Sequence, residues 1–263
     1  MTKLHGAWIW YELMTSDAPH AKAFYEAVVG WTIHLGTQAP LHYGMIGNAD
    51  GTMTGGVLPI TDEMAANGAR PAWVGYIGTD NVEATIASVE AHGGRLLMPV
   101  MEINEGRFAM VADCCGASFY LMTPKGAQAT STSWSPSMIG RCGWNELQAG
   151  NFAAAQAFYT GVFDWELAGS MDMGELGAYQ FLAKDGQTFG AMMQKAPHTP
   201  TAAWNFYFRV ANIDDAAAAV ITHAGHVLHG PVQVPGGDWI LNGVDPQGAP
   251  FSLVGAKGGL IAG

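Results

Sequence analysis

Two glutamates, Glu12 and Glu146, stand in matching tracts, Trp-Tyr-Glu-Leu and Trp-Asn-Glu-Leu, that lie 134 residues apart (146 − 12). If each tract is a β-strand, alternate side chains share a face, so each glutamate lies beside a tryptophan two residues earlier, Trp10 or Trp144. An apolar neighbour of this size withdraws a carboxylate from water, which raises its pKa and suits it to accept a proton near neutral pH. We therefore predict that Glu12 and Glu146 are general bases that remove a proton next to a carbonyl group.

A structural role for the two glutamates is the alternative. Each carboxylate could be an internal hydrogen-bond or ion-pair partner, because perturbed carboxylates also occur in purely structural networks. Three arginines are available for such pairs, Arg107, Arg141 and Arg209.

The matching tracts belong to a longer internal repeat. Several further motifs recur in the same order at nearly the same offset: Phe24-Tyr25 with Phe158-Tyr159, Trp31 with Trp165, Trp73 with Trp204, and Asp113-Cys-Cys-Gly with Asp245-Pro-Gln-Gly. A conserved order of this kind along the whole chain indicates a tandem duplication. We predict a first domain over residues 1–126, a linker over 127–138 whose core is rich in Ser, Thr and Pro, and a second domain over 139–263.

The elements of each half are predicted from hydrophobic periodicity and turn residues. The apolar residues of Ala18–Val29 recur at helical spacing, Asp17 can cap this helix, and Gly30 ends it. The surrounding alternating segments and the Asp50-Gly51 turn indicate strands and a hairpin. Each half then reads as two βαβββ units, which predicts an α+β fold: four units forming two curved, mostly antiparallel sheets with outer helices.

Composition narrows the class of protein. The 263 residues include 11 Lys+Arg and 22 Asp+Glu, for a formal charge of −11, and 49% are hydrophobic. Such a chain can bury a core and is not disordered, and its negative charge disfavours nucleic acid and anionic membranes as partners. Its apolar runs are shorter than the roughly 20 residues of a membrane-spanning helix, and no secretory leader is recognisable. We expect a cytoplasmic protein, a monomer or a homodimer.

The run Asp17-x6-Phe24-Tyr25-x4-Gly30-Trp31 and the tail Asp245-Pro-Gln-Gly-Ala-Pro-Phe resemble the vicinal oxygen chelate superfamily. This superfamily includes glyoxalase I, bleomycin- and fosfomycin-resistance proteins and extradiol dioxygenases. The resemblance covers nearly the whole chain and is closest to two-domain glyoxalase-like proteins. It implies tandem domains of this superfamily, each with a concave sheet face that holds the site.

The resemblance also implies a divalent metal bound by two histidines and a glutamate on each concave face. The matching positions of this chain carry other residues: Trp10 and Trp144, Trp73 and Trp204, Tyr120 and Ser252. An indole offers only an N–H donor and cannot ligate a metal. We therefore predict no cofactor and no metal at the usual positions, although a divalent metal elsewhere stays open.

By the same resemblance, the strand face that carries Glu12 or Glu146 lines the concave face. Aromatic side chains there would contact a planar organic ligand. The predicted substrate-binding residues are Trp10, Tyr43, Trp73, Tyr120, Trp144, Tyr179 and Trp204. The alternative is that these rings fill the space of a lost metal site as ordinary core.

Three functions follow from these residues. The first is a glyoxalase-like isomerase or lyase that acts on a small carbonyl or aromatic compound, with a glutamate base and without the usual metal. The second is a non-catalytic protein that sequesters an antibiotic or toxin, as bleomycin-resistance proteins do; the third is a metal-dependent glyoxalase or dioxygenase. Ser252 in place of Tyr120 and Gln148 in place of Met14 predict a roomier, more polar second site.

Overall fold

A computed structural model describes residues 4–39, 41–126 and 131–258, so residues 127–130 of the predicted linker lie outside the described residues. The described part contains sixteen strands and five α-helices. The first repeat runs through β1 (Trp8–Thr15), α1 (Ala18–Val29), β2 (Thr32–His34), β3 (Gly44–Gly47), β4 (Met53–Pro59), α2 (Asp62–Ala66), β5 (Ala72–Gly78), α3 (Val82–Ala91), β6 (Arg95–Ile103), β7 (Gly106–Ala112) and β8 (Ser118–Pro124).

The second repeat has the same order of strands and long helices, but its described residues include no α-helix that corresponds to α2. It runs through β9 (Cys142–Ala149), α4 (Phe152–Phe163), β10 (Glu166–Asp172), a short 3₁₀ turn (Gly174–Leu176), β11 (Ala178–Lys184), β12 (Gln187–Gln194), β13 (Ala203–Val210), α5 (Ile213–Thr222), β14 (His226–Gln233), β15 (Trp239–Val244) and β16 (Pro250–Gly255).

The strands form two eight-stranded mixed sheets, one from each repeat. The orders are β2-β3-β4-β1-β5-β8-β7-β6 and β10-β11-β12-β9-β13-β16-β15-β14. Consecutive hairpin strands pair antiparallel, whereas β1 with β4, β5 with β8, β9 with β12 and β13 with β16 pair parallel. The same order in both repeats confirms the predicted tandem α+β architecture.

Helix α1 illustrates how the sequence specifies these elements. The Asp17 carboxylate accepts the backbone N–H of His20, and Gly30 ends the helix with φ +84°. Its buried face includes Phe24 and Tyr25, at the spacing that predicts one apolar side of a helix. No helix within the described ranges is long and apolar enough to cross a membrane.

One element was not expected from the sequence. It is helix α2, whose first turn the Thr61 hydroxyl caps by accepting the Met64 N–H. Strand β6 continues through Pro99 to Ile103. A proline lacks the N–H that a central strand needs, but β6 lies at the edge of its sheet, where that N–H can be missing.

The chain packs as two compact units that take segments from both repeats. The first unit comprises Met1–Ile9, Val74–Ser131 and Trp144–Asn205; the second comprises Trp10–Trp73, Thr132–Gly143 and Phe206–Gly263. Helix α3 of the first repeat therefore packs against α4 of the second within the first unit, and α1 packs against α5 within the second unit. The strands of the first sheet lie within the predicted domain 1–126, and those of the second sheet lie within 139–263.

Candidate functional site

Three side chains of the first unit form a hydrogen-bonded chain that ends at Glu146. The Trp144 indole N–H donates to the Tyr179 hydroxyl at 2.8 Å, and that hydroxyl donates to Glu146 Oε2 at 2.8 Å. Glu146 is 8% exposed, whereas Trp144 and Tyr179 are half-buried. The carboxylate is thus withdrawn from water while the two groups that reach it remain accessible.

The strand register explains why these side chains meet. Strands β11, β12 and β9 are neighbours, and Ala191 on β12 is the register partner of both Glu146 and Phe181. The Phe181 ring lies 5.8 Å from the Tyr179 ring and 6.1 Å from Trp144, nearly perpendicular to both. Three aromatic rings therefore frame one carboxylate on one face of this sheet.

The first repeat builds a related pair in the second unit. The Trp10 indole N–H donates to the Tyr43 hydroxyl at 2.9 Å, and Glu12 is 2% exposed. The register partner of Glu12 is Gly56, and a Cβ added there would lie 2.0 Å from the Tyr43 hydroxyl oxygen. Glycine is therefore required for the position that Tyr43 adopts.

The three arginines considered as glutamate partners have carboxylates of their own. Arg107 pairs with Glu83, Arg141 Nη2 lies 2.6 Å from Asp50, and Arg209 Nη2 lies 2.6 Å from Asp238. These ion pairs do not involve the two predicted bases.

Trp73, one of the predicted ligand contacts, lies in a buried hydrogen-bonded network of the second unit. Its indole N–H donates at 2.9 Å to the Tyr25 hydroxyl, which donates at 3.1 Å to Asp245 Oδ2. The other oxygen, Oδ1, accepts the backbone N–H groups of Gln247 and Ala249. Burial raises the pKa of the Asp245 carboxyl, and burial followed by the Asp245 charge raises the pKa of Tyr25 well above its ordinary value.

Trp204 is placed in the same way in the first unit. Its N–H donates to Tyr159 at 2.8 Å, and Tyr159 donates to Asp113 Oδ2 at 3.2 Å. Burial raises the pKa of the Asp113 carboxyl and, more strongly, that of the Tyr159 phenol. Because side chains alternate along a strand, Trp73 and Trp204 point to the face opposite Tyr76 and Tyr207 on their own strands. A ligand contact at either tryptophan stays a prediction.

Tyr120, the remaining predicted contact, lies in a packed aromatic cluster. Its ring stacks on Tyr76 with centroids 4.3 Å apart and an interplanar angle of 22°, and Phe108 meets it edge-on at 5.9 Å. Tyr120 is 5% exposed. Its ring is thus held by other rings of the chain.

Several residues of these networks escaped sequence reasoning. Phe181, Tyr25 and Tyr159 were not predicted as parts of any site. A signal was present, because Phe-Tyr and Asp-x-x-Gly recur in both halves, but each tyrosine bonds the aspartate of the other repeat. Tyr25 and Asp245 are 220 positions apart, and nothing local in the sequence indicates which tyrosine meets which aspartate.

The donor chemistry does not fit the metal that the resemblance implies. Across residues 4–39, 41–126 and 131–258, no group of three or more His, Cys, Asp or Glu side chains is arranged to hold a metal ion. At the positions of two family ligands, Trp10 and Trp144 donate their only polar hydrogen to tyrosines. An indole has no lone pair to offer a cation.

The adjacent cysteines Cys114 and Cys115 are free thiols. The sulfur atoms of Cys114 and Cys115 are 3.7 Å apart. Burial and the neighbouring Cys115 raise the pKa of the Cys114 thiol to about 12. A thiol with so high a pKa is not a nucleophile at neutral pH.

Comparison with known proteins identifies the family. The family described as the Glyoxalase/Bleomycin resistance protein/Dioxygenase superfamily matches residues 9–121 and 139–253. CFP32 of Mycobacterium tuberculosis, whose name describes it as a candidate glyoxylase, is 30% identical over 250 residues, covering 93% of each chain. The chain therefore belongs to this superfamily.

Other similar proteins match this chain over nearly its whole length. The anthracycline biosynthesis protein DnrV of Streptomyces peucetius is 27% identical, over 98% of this chain and 96% of its own. The Mn(II)-bound glyoxalase of Novosphingobium aromaticivorans has a TM-score of 0.64 at 19% identity, over 95% of this chain and 82% of that one. The 2,3-dioxygenase LapB of Pseudomonas sp. KL28 has a TM-score of 0.65 at 13% identity, over 98% and 94%. Likeness to these two solved structures shows the shared fold.

Proposed function

We propose that this chain is a glyoxalase-like enzyme of the isomerase or lyase type, with Glu146 as its general base. Its substrate is a small carbonyl or aromatic compound. The observation that carries the proposal is the Tyr179 hydroxyl, which bridges the buried Glu146 carboxylate and the Trp144 indole with two hydrogen bonds of 2.8 Å. This arrangement combines an acceptor for a proton with a donor for a developing oxygen anion.

The proton can be followed through one cycle. Glu146 takes the proton from the carbon next to the substrate carbonyl, and negative charge develops on the carbonyl oxygen. Once Glu146 is protonated it no longer requires the Tyr179 hydrogen, which then turns to the oxygen anion. The Trp144 N–H bond to the Tyr179 oxygen makes that hydroxyl a better donor, because hydrogen bonds in series polarise one another. For an α-hydroxy carbonyl substrate, the hydroxyl proton of the first carbon moves to the oxygen anion and Glu146 returns its proton to the former carbonyl carbon, which completes an isomerisation.

The aromatic frame supplies binding and excludes water. Trp144 and Phe181 offer ring surface for the apolar part of a ligand, and such surface lines most small-molecule sites. We further propose that the reaction proceeds with the chain's own residues, since the side chains at the family's ligand positions do not suit a divalent metal.

Sequestration without chemistry is the second candidate. It is favoured by the predominance of rings around a single carboxylate, because ring surface binds a planar compound whether or not a proton moves. The formal charge of −11 would favour a cationic ligand by electrostatic attraction.

Hydrogen–deuterium exchange separates the two candidates. The protein is incubated in D₂O with hydroxyacetone, dihydroxyacetone and the hemithioacetal of methylglyoxal, and loss of the proton next to the carbonyl is followed by NMR. Glu146→Gln should lower the exchange rate by about 10²- to 10⁴-fold, the usual contribution of a general base. Glu175→Gln removes an exposed charge from the same unit and should leave the rate unchanged.

The other glutamate and the binding measurement complete the design. Glu12→Gln alone and with Glu146→Gln shows whether the first repeat contributes. Unchanged exchange in the double variant refutes the base. Tight binding with no exchange in the unsubstituted protein supports sequestration.

A further inference from the structure

Two rows of residues occupy matching register positions in the two sheets. In the first sheet the row crosses β5, β8, β7 and β6, and in the second it crosses β13, β16, β15 and β14. The first row is Tyr76, Tyr120, Met110 and Met98; the second row is Tyr207, Ser252, Asn242 and His229. Register partners on neighbouring strands point to the same side of a sheet, so each row presents one set of side chains.

The first row is apolar apart from its tyrosine hydroxyls. Tyr76 stacks on Tyr120, and Met110 and Met98 follow as the next register partners. Stacked rings and thioethers pack against one another and need no hydrogen bond to be buried. This row is filled by its own side chains.

In the second row, the three positions that follow the tyrosine are all polar. The Asn242 amide nitrogen donates to Ser252 Oγ at 2.8 Å and to the Tyr207 hydroxyl at 3.3 Å. Ser252 and Tyr207 are each 4% exposed, and Asn242 is half-buried. Serine also replaces a tyrosine ring, which removes the volume that Tyr120 occupies in the first row.

Hydrogen-bonding capacity remains in the second row. Ser252 accepts from Asn242, but its hydroxyl hydrogen meets no acceptor among the residues that the structure describes. The Asn242 carbonyl oxygen likewise receives no hydrogen bond from any described residue. Ser252 is buried and Asn242 is half-buried, so a ligand oxygen that reaches both would use this remaining capacity.

The chemistry of that partner follows from charge. The ionised side chain next along β13 on the same face, Arg209, is held by Asp238 through both terminal nitrogens, at 3.1 and 2.6 Å. Ser252 and Asn242 therefore offer a hydroxyl donor and an amide acceptor, and the charge of Arg209 beside them is neutralised by Asp238. One hydroxyl group both accepts and donates, so it satisfies Ser252 and Asn242 together.

We propose that Ser252 and Asn242 form a subsite that binds a neutral hydroxyl or hydroxy-carbonyl group of a small organic ligand. The first row, filled by its own rings, has no such subsite. The proposal rests on the proposed function only in that the ligand is a small molecule, and it names the uncharged oxygen group as what this part of the second sheet recognises.

A pair of matched ligands and a pair of matched variants test the subsite. Equilibrium dialysis in sealed cells measures the dissociation constants of 2-naphthol, which carries one hydroxyl, and naphthalene, which carries none. The unsubstituted protein should bind 2-naphthol about three- to tenfold more tightly than naphthalene, the effect of one or two neutral hydrogen bonds. Ser252→Ala should abolish this preference with little change in naphthalene binding.

The control removes an exposed serine hydroxyl from the same unit. Ser137→Ala should leave the preference for 2-naphthol unchanged. Asn242→Leu removes the acceptor and should act as Ser252→Ala does, and a urea unfolding curve for each variant verifies that it is folded. The proposal is overturned if Ser252→Ala retains the preference, if Ser137→Ala abolishes it, or if neither ligand binds.

The outcomes separate this subsite from the proposed base. Dialysis involves no turnover, so the preference for 2-naphthol is measured whether or not the protein catalyses exchange. A Ser252-dependent preference without deuterium exchange supports the subsite and refutes the base. Exchange that depends on Glu146, together with a preference for 2-naphthol that does not depend on Ser252, supports the base and refutes the subsite.

Discussion

The first unit contains two hydrogen-bonded chains of side chains, each made of a tryptophan, a tyrosine and a carboxylate, that differ in their surroundings. Trp144, Tyr179 and Glu146 form one, and Trp204, Tyr159 and Asp113 form the other. In both, an indole N–H donates to a phenol that donates to a carboxylate. Only the first leaves its tryptophan and tyrosine half-exposed; in the second both rings are buried.

The remaining hydrogen bonds of the carboxylates sharpen this difference. Asp113 Oδ1 accepts the backbone N–H groups of Cys115 and Ala117, which fixes the turn after β7. Burial raises the pKa of Tyr159 so far that the phenol keeps its proton at any physiological pH. The chain that contains Tyr159 therefore links helix α4 of the second repeat to the turn after β7 of the first repeat. The chain that contains Tyr179 is accessible to solvent, as a reaction with a substrate requires.

Removing the tyrosine hydroxyl from each chain gives the largest expected contrast. Tyr179→Phe should lower deuterium exchange by about 10²-fold, because the developing oxygen anion loses its donor. Tyr159→Phe should change the rate by less than about threefold, because this hydroxyl is buried and hydrogen-bonded to Trp204 and Asp113. NMR exchange rates at one temperature, well below unfolding, provide the measurement. Equal losses in both variants would contradict the division of roles.

The stability of the same two variants should show the opposite order. Tyr159→Phe leaves the Trp204 N–H and an Asp113 oxygen buried without their partner, at about 1–3 kcal/mol each. We expect the free energy of unfolding in urea to fall by about 2–4 kcal/mol, and by less than about 1 kcal/mol for Tyr179→Phe, whose neighbours can turn to water. Tyr25→Phe, the counterpart in the second unit, should match Tyr159→Phe.

A glycine tests the related pair of the first repeat. In Gly56→Ala, the new methyl group would overlap the Tyr43 hydroxyl, so Tyr43 must leave its place beside Trp10. Overpacking of this kind costs about 1–3 kcal/mol of unfolding free energy. Ala191→Gly, at the position that faces Glu146, is the matched control and should cost no more than about 1 kcal/mol. Equal stability of Gly56→Ala and the parent would show that Tyr43 is not confined.

The pH dependence of stability tests the buried carboxylates. Burial raises the pKa values of Asp113 and Asp245 in the folded chain, so the folded state binds these protons more tightly than the unfolded state. The contribution of each carboxyl is therefore most favourable at acid pH and declines as pH rises from the ordinary carboxyl pKa through the raised one, by at most about 1.4 kcal/mol per pH unit.

Asparagine variants isolate this effect. Unfolding free energies at pH 4 and pH 7 are compared for the parent and Asp245→Asn, which cannot titrate. The parent's advantage over the variant should be larger at pH 4. An advantage that grows towards pH 7 would mean that hydrogen bonds to the ionised form outweigh burial.

Much of the architecture could be predicted because its signals are local or repeated. The Asp17 cap, the spacing of Phe24 and Tyr25, and Gly30 define α1 within fourteen residues. Matching motifs at a nearly constant offset then predicted that the second half folds like the first. The Glu146 and Tyr179 positions also emerged from this repetition, because alternation along a strand fixes which side chains share a face.

The sheet face on which Trp73 and Trp204 lie could not be fixed from the sequence. A shift of one residue in the assumed position moves a side chain to the opposite face, and composition cannot reveal the shift because a tryptophan suits either side of a buried strand. Phe181 was missed because its place beside Trp144 depends on strand order across β9, β12 and β11.

The sequence by itself determined the duplication, the order of elements and the residue types that stand at the family's metal positions, because each follows from local spacing or from comparison of the two halves. The tertiary structure alone decided which carboxylate each tyrosine meets and which row of side chains keeps unused hydrogen bonds. These depend on strand order, register and burial, and such contacts join residues that are far apart in the chain, so no local pattern encodes them.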